Sequence, residues 1–203
     1  MGAKRKTNGQ VEFYRIFNGK IIKTVKEKTE FSKTLKTHAG KEFEAEIFDS
    51  LEGKVQKYYV FTENYEGVET EKICIQLIDD NGEIMCLTER MTSDCASSLI
   101  QRLSAVDLSE AFEIVAMLKD KEYSYAFLKQ HGITVKSPFT EKNPLPRWNK
   151  VKVNGKDVWD KTDCINALKE QVKISNVLLD FLNNKANGNS ENLQTAENED
   201  LPF

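Results

Sequence analysis

The sequence predicts a mainly β protein with helices, built around a small barrel. Strand-like alternation or β-branched and aromatic enrichment marks segments near 43–62, at 71–78 and at 83–88. A helical spacing follows at 94–106, and strand-like alternation returns at 112–118 and 122–129. Three strands, a helix and two more strands is the order of the OB-fold, although other small barrels and α+β folds share it. We therefore predict an OB-fold with an added N-terminal β-hairpin, a C-terminal helix and a disordered acidic tail.

The individual strands are indicated by turns and composition. Asn18-Gly19 separates 11–17 from 20–26 and predicts a hairpin, because both central residues of a type I′ turn need positive φ. Alternation predicts a strand at 41–48, and β-branched and aromatic residues predict another at 55–62. A second hairpin is expected where 71–78 and 83–88 flank residues 79–82.

The two helices are predicted from their apolar spacing. The first follows the capping sequence Thr92-Ser93-Asp94 and repeats apolar residues at Cys95, Leu99, Leu103 and Val106. Residues 137–160 contain three prolines and predict a loop, with a hairpin at 150–158 centred on Asn154-Gly155. A long helix is expected at 162–183, with an apolar stripe of Ile165, Leu168, Val172, Leu179 and Leu182 that includes Ser175. This stripe favours docking on the barrel, and self-association through the same stripe is the alternative.

Four regions follow from this interpretation. Residues 1–40 form a basic N-terminal extension with a hairpin, and 41–136 form the OB-like barrel. Residues 137–184 form the loop, hairpin and C-terminal helix packed on the barrel. From residue 185 the composition changes to Asn, Gly, Ser, Glu, Gln and Thr, so 185–203 is expected to be a disordered acidic tail.

Charge is unevenly distributed over the 203 residues. The formal net charge is −3, and residues 186–203 hold four acids and no Lys or Arg, which leaves +1 on residues 1–185. Ten basic residues lie between Lys4 and Lys36 against three glutamates. This layout is common among nucleic-acid-binding proteins. The four cysteines form no Cys-x-x-Cys pair and the two histidines are far apart, so we expect reduced thiols, no metal and no cofactor.

The strongest functional signal is the C-terminal end, Glu199-Asp200-Leu201-Pro202-Phe203. A disordered tail gains nothing by ending on apolar residues unless another protein binds them. Phe203 combines an aromatic ring with the terminal carboxylate, and Pro202 lowers the entropy lost on docking. The five residues therefore predict a peptide that enters an apolar pocket rimmed by basic side chains.

This ending resembles the acidic tip of bacterial and phage single-stranded DNA-binding proteins, which close on acids followed by Ile or Leu, Pro and Phe. The resemblance covers five residues, and the body shows no stretch that aligns with the bacterial proteins, which suggests a divergent, phage-type member. It implies a cytoplasmic protein of a bacterial cell or phage-infected host that coats and protects single strands. It also implies recruitment of replication, recombination and repair proteins through the tip, with homo-oligomers allowed.

Binding single strands without sequence preference requires aromatic side chains for bases and cations for phosphates. Neighbouring strand residues point to opposite faces, so one of Tyr58 and Tyr59 is expected inside the barrel, and Lys57 favours Tyr59 as the outward one. Phe127 is predicted to lie in the core and Trp159 to be packed, whereas Trp148 is either a stacking residue or a cover for the barrel end. The predicted DNA-binding residues are Tyr59, Lys57, Tyr123, Tyr125, Lys121, Trp148, Arg147, Lys150, Lys20, Lys23 and Lys26.

Catalysis is not indicated. The sequence contains no Gly-rich phosphate loop, Gly-x-Ser-x-Gly elbow or His-Glu-x-x-His motif, and no spacing singles out carboxylates for a nuclease. Two rival functions stay open: an OB-fold adaptor whose tail docks on a replication enzyme, and a strand-annealing or recombination mediator. An adaptor would not bind oligo-dT, whereas a mediator would bind it and differ only in activity.

Overall fold

The computed structural model describes residues 11–65, 67–119, 123–146 and 148–186. It is mainly β, with a curled ten-stranded sheet, a separate two-stranded sheet and two helices. The elements in chain order are β1 (Glu12–Phe17), β2 (Lys20–Thr24), β3 (Ser32–Lys36), β4 (Glu42–Phe48), β5 (Ser50–Tyr65), β6 (Val68–Ile78), β7 (Ile84–Arg90), α1 (Asp94–Leu103), β8 (Phe112–Lys119), β9 (Tyr123–Gln130), β10 (Ile133–Thr134), β11 (Asn149–Val153), β12 (Lys156–Asp160) and α2 (Thr162–Ala186).

The predicted Asn-Gly hairpins are confirmed. Asn18 and Gly19 have φ of 48° and 67°, and Asn154 and Gly155 have φ of 50° and 78°, which suits a type I′ turn. Gly19 has a second role, because a Cβ there would collide with the backbone of Met117 and Leu118 on β8. The β1–β2 turn therefore packs closely against the end of β8.

The sheet runs in the order β10-β9-β8-β5-β6-β7-β1-β2-β4-β3. Its pairs are antiparallel except for β1 and β7, which are parallel. Within the sheet, β5 and β4 are the two ends of the series β5-β6-β7-β1-β2-β4. They are also consecutive in the chain, because only Asp49 separates β4 from β5. The first residues of β5 pair with β8 and the remainder with β6, and the sheet curls as a result.

One side of the sheet and the two helices enclose the core. Ser93 caps α1 by accepting a hydrogen bond from the Ala96 N–H, and α1 packs on β9. The core contains the buried side chains Tyr14, Ile21, Tyr58, Ile75, Leu87, Leu99, Ile100, Phe112 and Leu128.

Docking of α2 through the predicted stripe is confirmed. Leu168, Val172 and Leu179 are buried in the core cluster, and Ser175 is buried with them. The Asn176 side chain also accepts a hydrogen bond from the Tyr58 N–H at 3.0 Å and donates one to the Tyr58 carbonyl at 2.6 Å. Because these stripe residues lie in the core, they are not available for self-association.

Sequence patterns missed three features of the fold. The short strands β3 and β10 were not predicted, and β5 is longer than the expected 55–62. In the N-terminal region, β2 and β3 both pair with β4, and β1 pairs with β7, so this region continues the same sheet. Among the described residues, no helix is long and apolar enough to cross a membrane.

Candidate nucleic-acid interface

Strand register brings aromatic and basic side chains together on the side of the sheet that faces away from the core. We call this surface the aromatic face, and residues paired directly across neighbouring strands define it. It consists of Lys57, Tyr59 and Phe61 on β5; Lys72, Cys74 and Gln76 on β6; Cys86, Thr88 and Arg90 on β7; Phe13, Arg15 and Phe17 on β1; Lys20, Ile22 and Thr24 on β2; and Phe43, Ala45 and Ile47 on β4. None of these positions holds an acid, although the next residue on this side of β5 is Glu63; both helices pack on the opposite, core side.

The first aromatic group of this face lies on β1 and β4. The Phe17 and Phe43 rings meet edge to face with centroids 5.4 Å apart. The Arg15 guanidinium lies 4.9 Å from the Phe43 centroid and 5.9 Å from that of Phe17. Phe13, on the same strand, is 60% exposed, so its ring is accessible to a ligand.

The second aromatic group lies on β5. The Tyr59 and Phe61 centroids are 5.8 Å apart, with the rings tilted by 43°. The interaction with the neighbouring Cys74 side chain, together with burial, raises the pKa of Tyr59. Burial raises the pKa of the Cys74 thiol to about 12, so it stays protonated. Tyr59 lies directly across from Cys74 on β6 and is half-exposed, so part of its side chain is open to solvent.

The aromatic face has buried side chains next to the sheet and exposed cations around them. Ile22, Ala45, Cys74 and Cys86 are buried although they lie outside the core cluster, so the larger side chains around them cover the sheet. Arg15, Lys57 and Arg90 are exposed, and within the described residues none of them forms a salt bridge. Lys72 pairs with Glu63 at 2.6 Å.

Acids are concentrated elsewhere on the molecule. A surface hollow of about 200 Å³ is lined by Glu52, Asp79 and Asp80. A second hollow, of about 260 Å³, is lined by Glu52, Glu110 and Glu113 together with Lys129 and His131. A phosphate backbone would therefore be repelled from this side and attracted to the aromatic face.

The predicted residues of β5 and of the N-terminal hairpin are only partly brought together. Tyr58 is fully buried and Tyr59 is half-exposed beside exposed Lys57, as predicted. Lys20 lies on the aromatic face and pairs with Asp49 at 3.1 Å. Lys26 is exposed in the segment after β2.

The prediction that Lys23 contacts DNA disagrees with its position. Residues an odd number apart in a strand point to opposite faces, so Lys23 lies opposite to Lys20. Its ammonium is held by Glu12 at 2.8 Å and by Glu46 at 3.4 Å and is only 25% exposed. Its charge is therefore already neutralised on the core side.

The predicted tyrosines of β9 form a separate surface, which we call the β9 surface. Tyr123 is 60% exposed, and it lies with Tyr125 and Phe127 on one side of the strand. Phe127 was expected in the core but is half-exposed, with Lys129 5.9 Å from its centroid. The hydroxyl of Tyr125 accepts a 2.7 Å hydrogen bond from Arg102. Lys121 lies outside the described residues.

Trp148 takes the second of its two predicted roles, whereas the prediction for Trp159 is wrong. Trp148 is half-buried against the core cluster, and the Lys161 ammonium lies 3.4 Å from its ring centroid, so it covers the barrel. Trp159 was expected to pack but is 55% exposed on β12, with the Lys150 ammonium 5.1 Å from its centroid. Arg147 lies outside the described residues, as do Glu199, Asp200, Leu201, Pro202 and Phe203 of the tip.

Sequence reasoning missed the most exposed ring of the aromatic face and its neighbours. Phe13, Arg15 and Phe17 alternate along a strand that was correctly predicted, and this alternation alone places them on one side. Phe43 joins them only through the pairing of β2 with β4, which no local pattern indicates.

Among the described residues, no group of three His, Cys, Asp or Glu side chains is arranged to hold a metal ion. The chain matches no protein-family model, and neither a curated protein nor a solved structure is significantly similar to it.

Proposed function

We propose that this protein binds single-stranded DNA without strong sequence preference and that the aromatic face is its binding surface. The observation that carries the proposal is a continuous sheet surface with exposed rings and with three exposed cations, Arg15, Lys57 and Arg90, that form no salt bridge within the described residues. Every base has a π-face, so such rings accept any sequence by stacking, while cations follow the phosphates. Bases in a duplex are already stacked and are not available to these rings, which favours single strands.

We further propose that the sheet is an elaborated OB-fold. The β5-β6-β7 meander, α1 and the β8–β9 hairpin follow the strand and helix order of that fold, and β5 pairs with both β6 and β8. OB-folds bind oligonucleotides across their second and third strands. In this chain those strands are β6 and β7, which form the centre of the aromatic face. Strands β1 to β4 would extend the same surface.

The resemblance of the C-terminal end supports the second half of the proposed function. Glu199, Asp200, Leu201, Pro202 and Phe203 would recruit replication, recombination and repair proteins. We place DNA binding in the sheet and partner binding in the tip, so the two activities can be separated by truncation.

The test is the binding of fluorescent oligo-dT by anisotropy at several salt concentrations. Full-length protein and a variant ending at Gln194 are both expected to bind, with affinity that falls as salt rises. Failure of both proteins to bind at low salt would overturn the proposal and favour the adaptor.

A charge variant ties the salt dependence to the aromatic face. Arg15→Gln is expected to weaken binding and to reduce the slope of log affinity against log salt by about one unit at most. Lys36→Gln is the matched control, because Lys36 is exposed on β3, pairs with Glu42 at 3.6 Å and lies outside the aromatic face. Equal slopes for Arg15→Gln, Lys36→Gln and the unmodified protein would place the phosphate contacts elsewhere.

A further inference from the structure

Helix α2 carries a second apolar stripe that no described element covers. Ile174, Val177, Leu178 and Phe181 are exposed by 43%, 68%, 47% and 55%. They follow the i, i+3, i+4, i+7 spacing, so they form one continuous face over two turns. The other side of the same helix is docked in the core through Leu168, Val172 and Leu179.

The exposed stripe is symmetric along the helix. Ile174 and Phe181 lie at equal distances from the midpoint between Val177 and Leu178. Glu170 and Lys185 bracket the stripe, also at equal distances from that midpoint. A two-fold axis through the midpoint would place each of these residues opposite its counterpart in a second, antiparallel copy.

Charge complementarity selects this arrangement. In the antiparallel pair, Glu170 meets Lys185 of the second copy at both ends, whereas a parallel pair would bring like charges together. Glu170 is 60% exposed, and among the described residues it forms one ion pair, with Lys173 of the same helix at 3.1 Å, so it can turn toward a partner. Lys185 is exposed and lies in the last turn of α2.

We infer that two copies of this chain associate through the exposed stripe of α2 as an antiparallel pair, with the two stripes in contact and Glu170 beside Lys185 of the second copy. The paired faces are short, so the contact lies toward the small end of specific interfaces, and the dimer is reversible and depends on concentration. The aromatic face lies on the other side of the sheet from the α2 contact, and each copy keeps its own.

Sedimentation velocity of the full chain without DNA tests the dimer. The unmodified protein is expected to show a concentration-dependent monomer–dimer equilibrium. Val177→Glu places a charge at the centre of the stripe and is expected to weaken association at least about a hundred-fold. Val68→Glu is the matched control, because Val68 is 64% exposed, similar to Val177, but lies on β6. Circular dichroism verifies that each variant is folded.

Charge reversal tests the orientation. Glu170→Lys and Lys185→Glu should each weaken the dimer by about ten-fold, since each opposes like charges at both ends. The double variant should recover the original dissociation constant. In a parallel pair each single reversal would leave like charges facing each other at both ends, so neither single variant would weaken association.

Two results would overturn the inference: a protein that stays monomeric at its highest soluble concentration, or an oligomer that Val177→Glu leaves intact. Neither result bears on oligo-dT binding, which is measured separately.

Discussion

The aromatic face and the β9 surface both combine exposed rings with nearby cations, but their cations have different roles. On the β9 surface, the guanidinium of Arg102 donates to the Val135 carbonyl at 3.0 Å, to the Ser98 carbonyl and hydroxyl at 2.7 Å, and to the Tyr125 hydroxyl at 2.7 Å. On the aromatic face, Arg15 lies over Phe43 and forms no salt bridge within the described residues. Proximity of rings and cations is therefore not enough to identify a DNA-binding surface. The cations must also have hydrogen-bond donors that are not already used within the protein.

Each surface also has a polar side chain that holds it in place. Arg102 joins α1 to β9 and to the segment that follows β10. Beneath the aromatic face, the Glu89 carboxylate accepts a 2.7 Å hydrogen bond from the Ile16 N–H on β1 and a 3.3 Å hydrogen bond from the Ser93 hydroxyl that caps α1. Glu89 thus fixes the strand that carries Phe13, Arg15 and Phe17.

The largest expected difference between the two surfaces is in DNA affinity. Phe13 and Tyr123 are both 60% exposed, so alanine substitutions at these positions remove rings of equal accessibility. Phe13→Ala should weaken oligo-dT binding by about 1–3 kcal/mol, or roughly five- to 150-fold, because one stacked base is lost. Tyr123→Ala should change it by less than about two-fold. Equal losses of oligo-dT affinity for the two variants in anisotropy titrations would contradict the proposed difference between the two surfaces.

The next effect concerns the pH dependence of stability. Burial raises the pKa of Glu89 from 4.5 to about 7, although the Ile16 and Ser93 hydrogen bonds oppose the shift. The folded protein therefore holds a proton that the unfolded chain releases, and the free energy of unfolding falls as pH rises from 4.5 to 7. Glu89→Gln keeps an acceptor for the Ile16 N–H but cannot ionise. The difference between its free energy of unfolding and that of the unmodified protein should therefore shift by about 2 kcal/mol in favour of the variant from about pH 5.5 to about pH 8. Urea unfolding at both pH values measures this, and a constant difference would contradict it.

Much of this architecture could be predicted locally, because some residues fix their own conformation. Asn18-Gly19 and Asn154-Gly155 adopt the positive φ that a type I′ turn needs, and Ser93 is a typical N-cap residue at the start of α1. The aromatic face could not be predicted, because it depends on which strands pair and in which register. The second stripe of α2 was visible in the spacing of Ile174 and Phe181, but the first stripe already accounted for the helix.

A smaller effect is expected for Arg102. Arg102→Met should lower the free energy of unfolding by about 1–2 kcal/mol, because it leaves partly buried acceptors without donors. It should not change oligo-dT affinity when the protein is folded. Arg102→Lys keeps the charge but loses the planar fork, so its stability should resemble that of Arg102→Met. An affinity loss in Arg102→Met without a stability loss would assign this guanidinium to DNA instead.

The smallest effect distinguishes the core side of β5 from its aromatic face. Burial raises the pKa of the Tyr58 hydroxyl, and the Tyr58 oxygen has no hydrogen-bond partner among the described residues. Tyr58→Phe removes a desolvated polar group and should raise the free energy of unfolding by less than about 1 kcal/mol. Tyr14→Phe is the matched control, since the buried Tyr14 hydroxyl donates a 2.6 Å hydrogen bond to Glu12 and its loss should destabilise. Neither substitution should alter oligo-dT binding. If Tyr58→Phe destabilises as much as Tyr14→Phe, the Tyr58 hydroxyl has a partner and β5 is held from within by a polar contact.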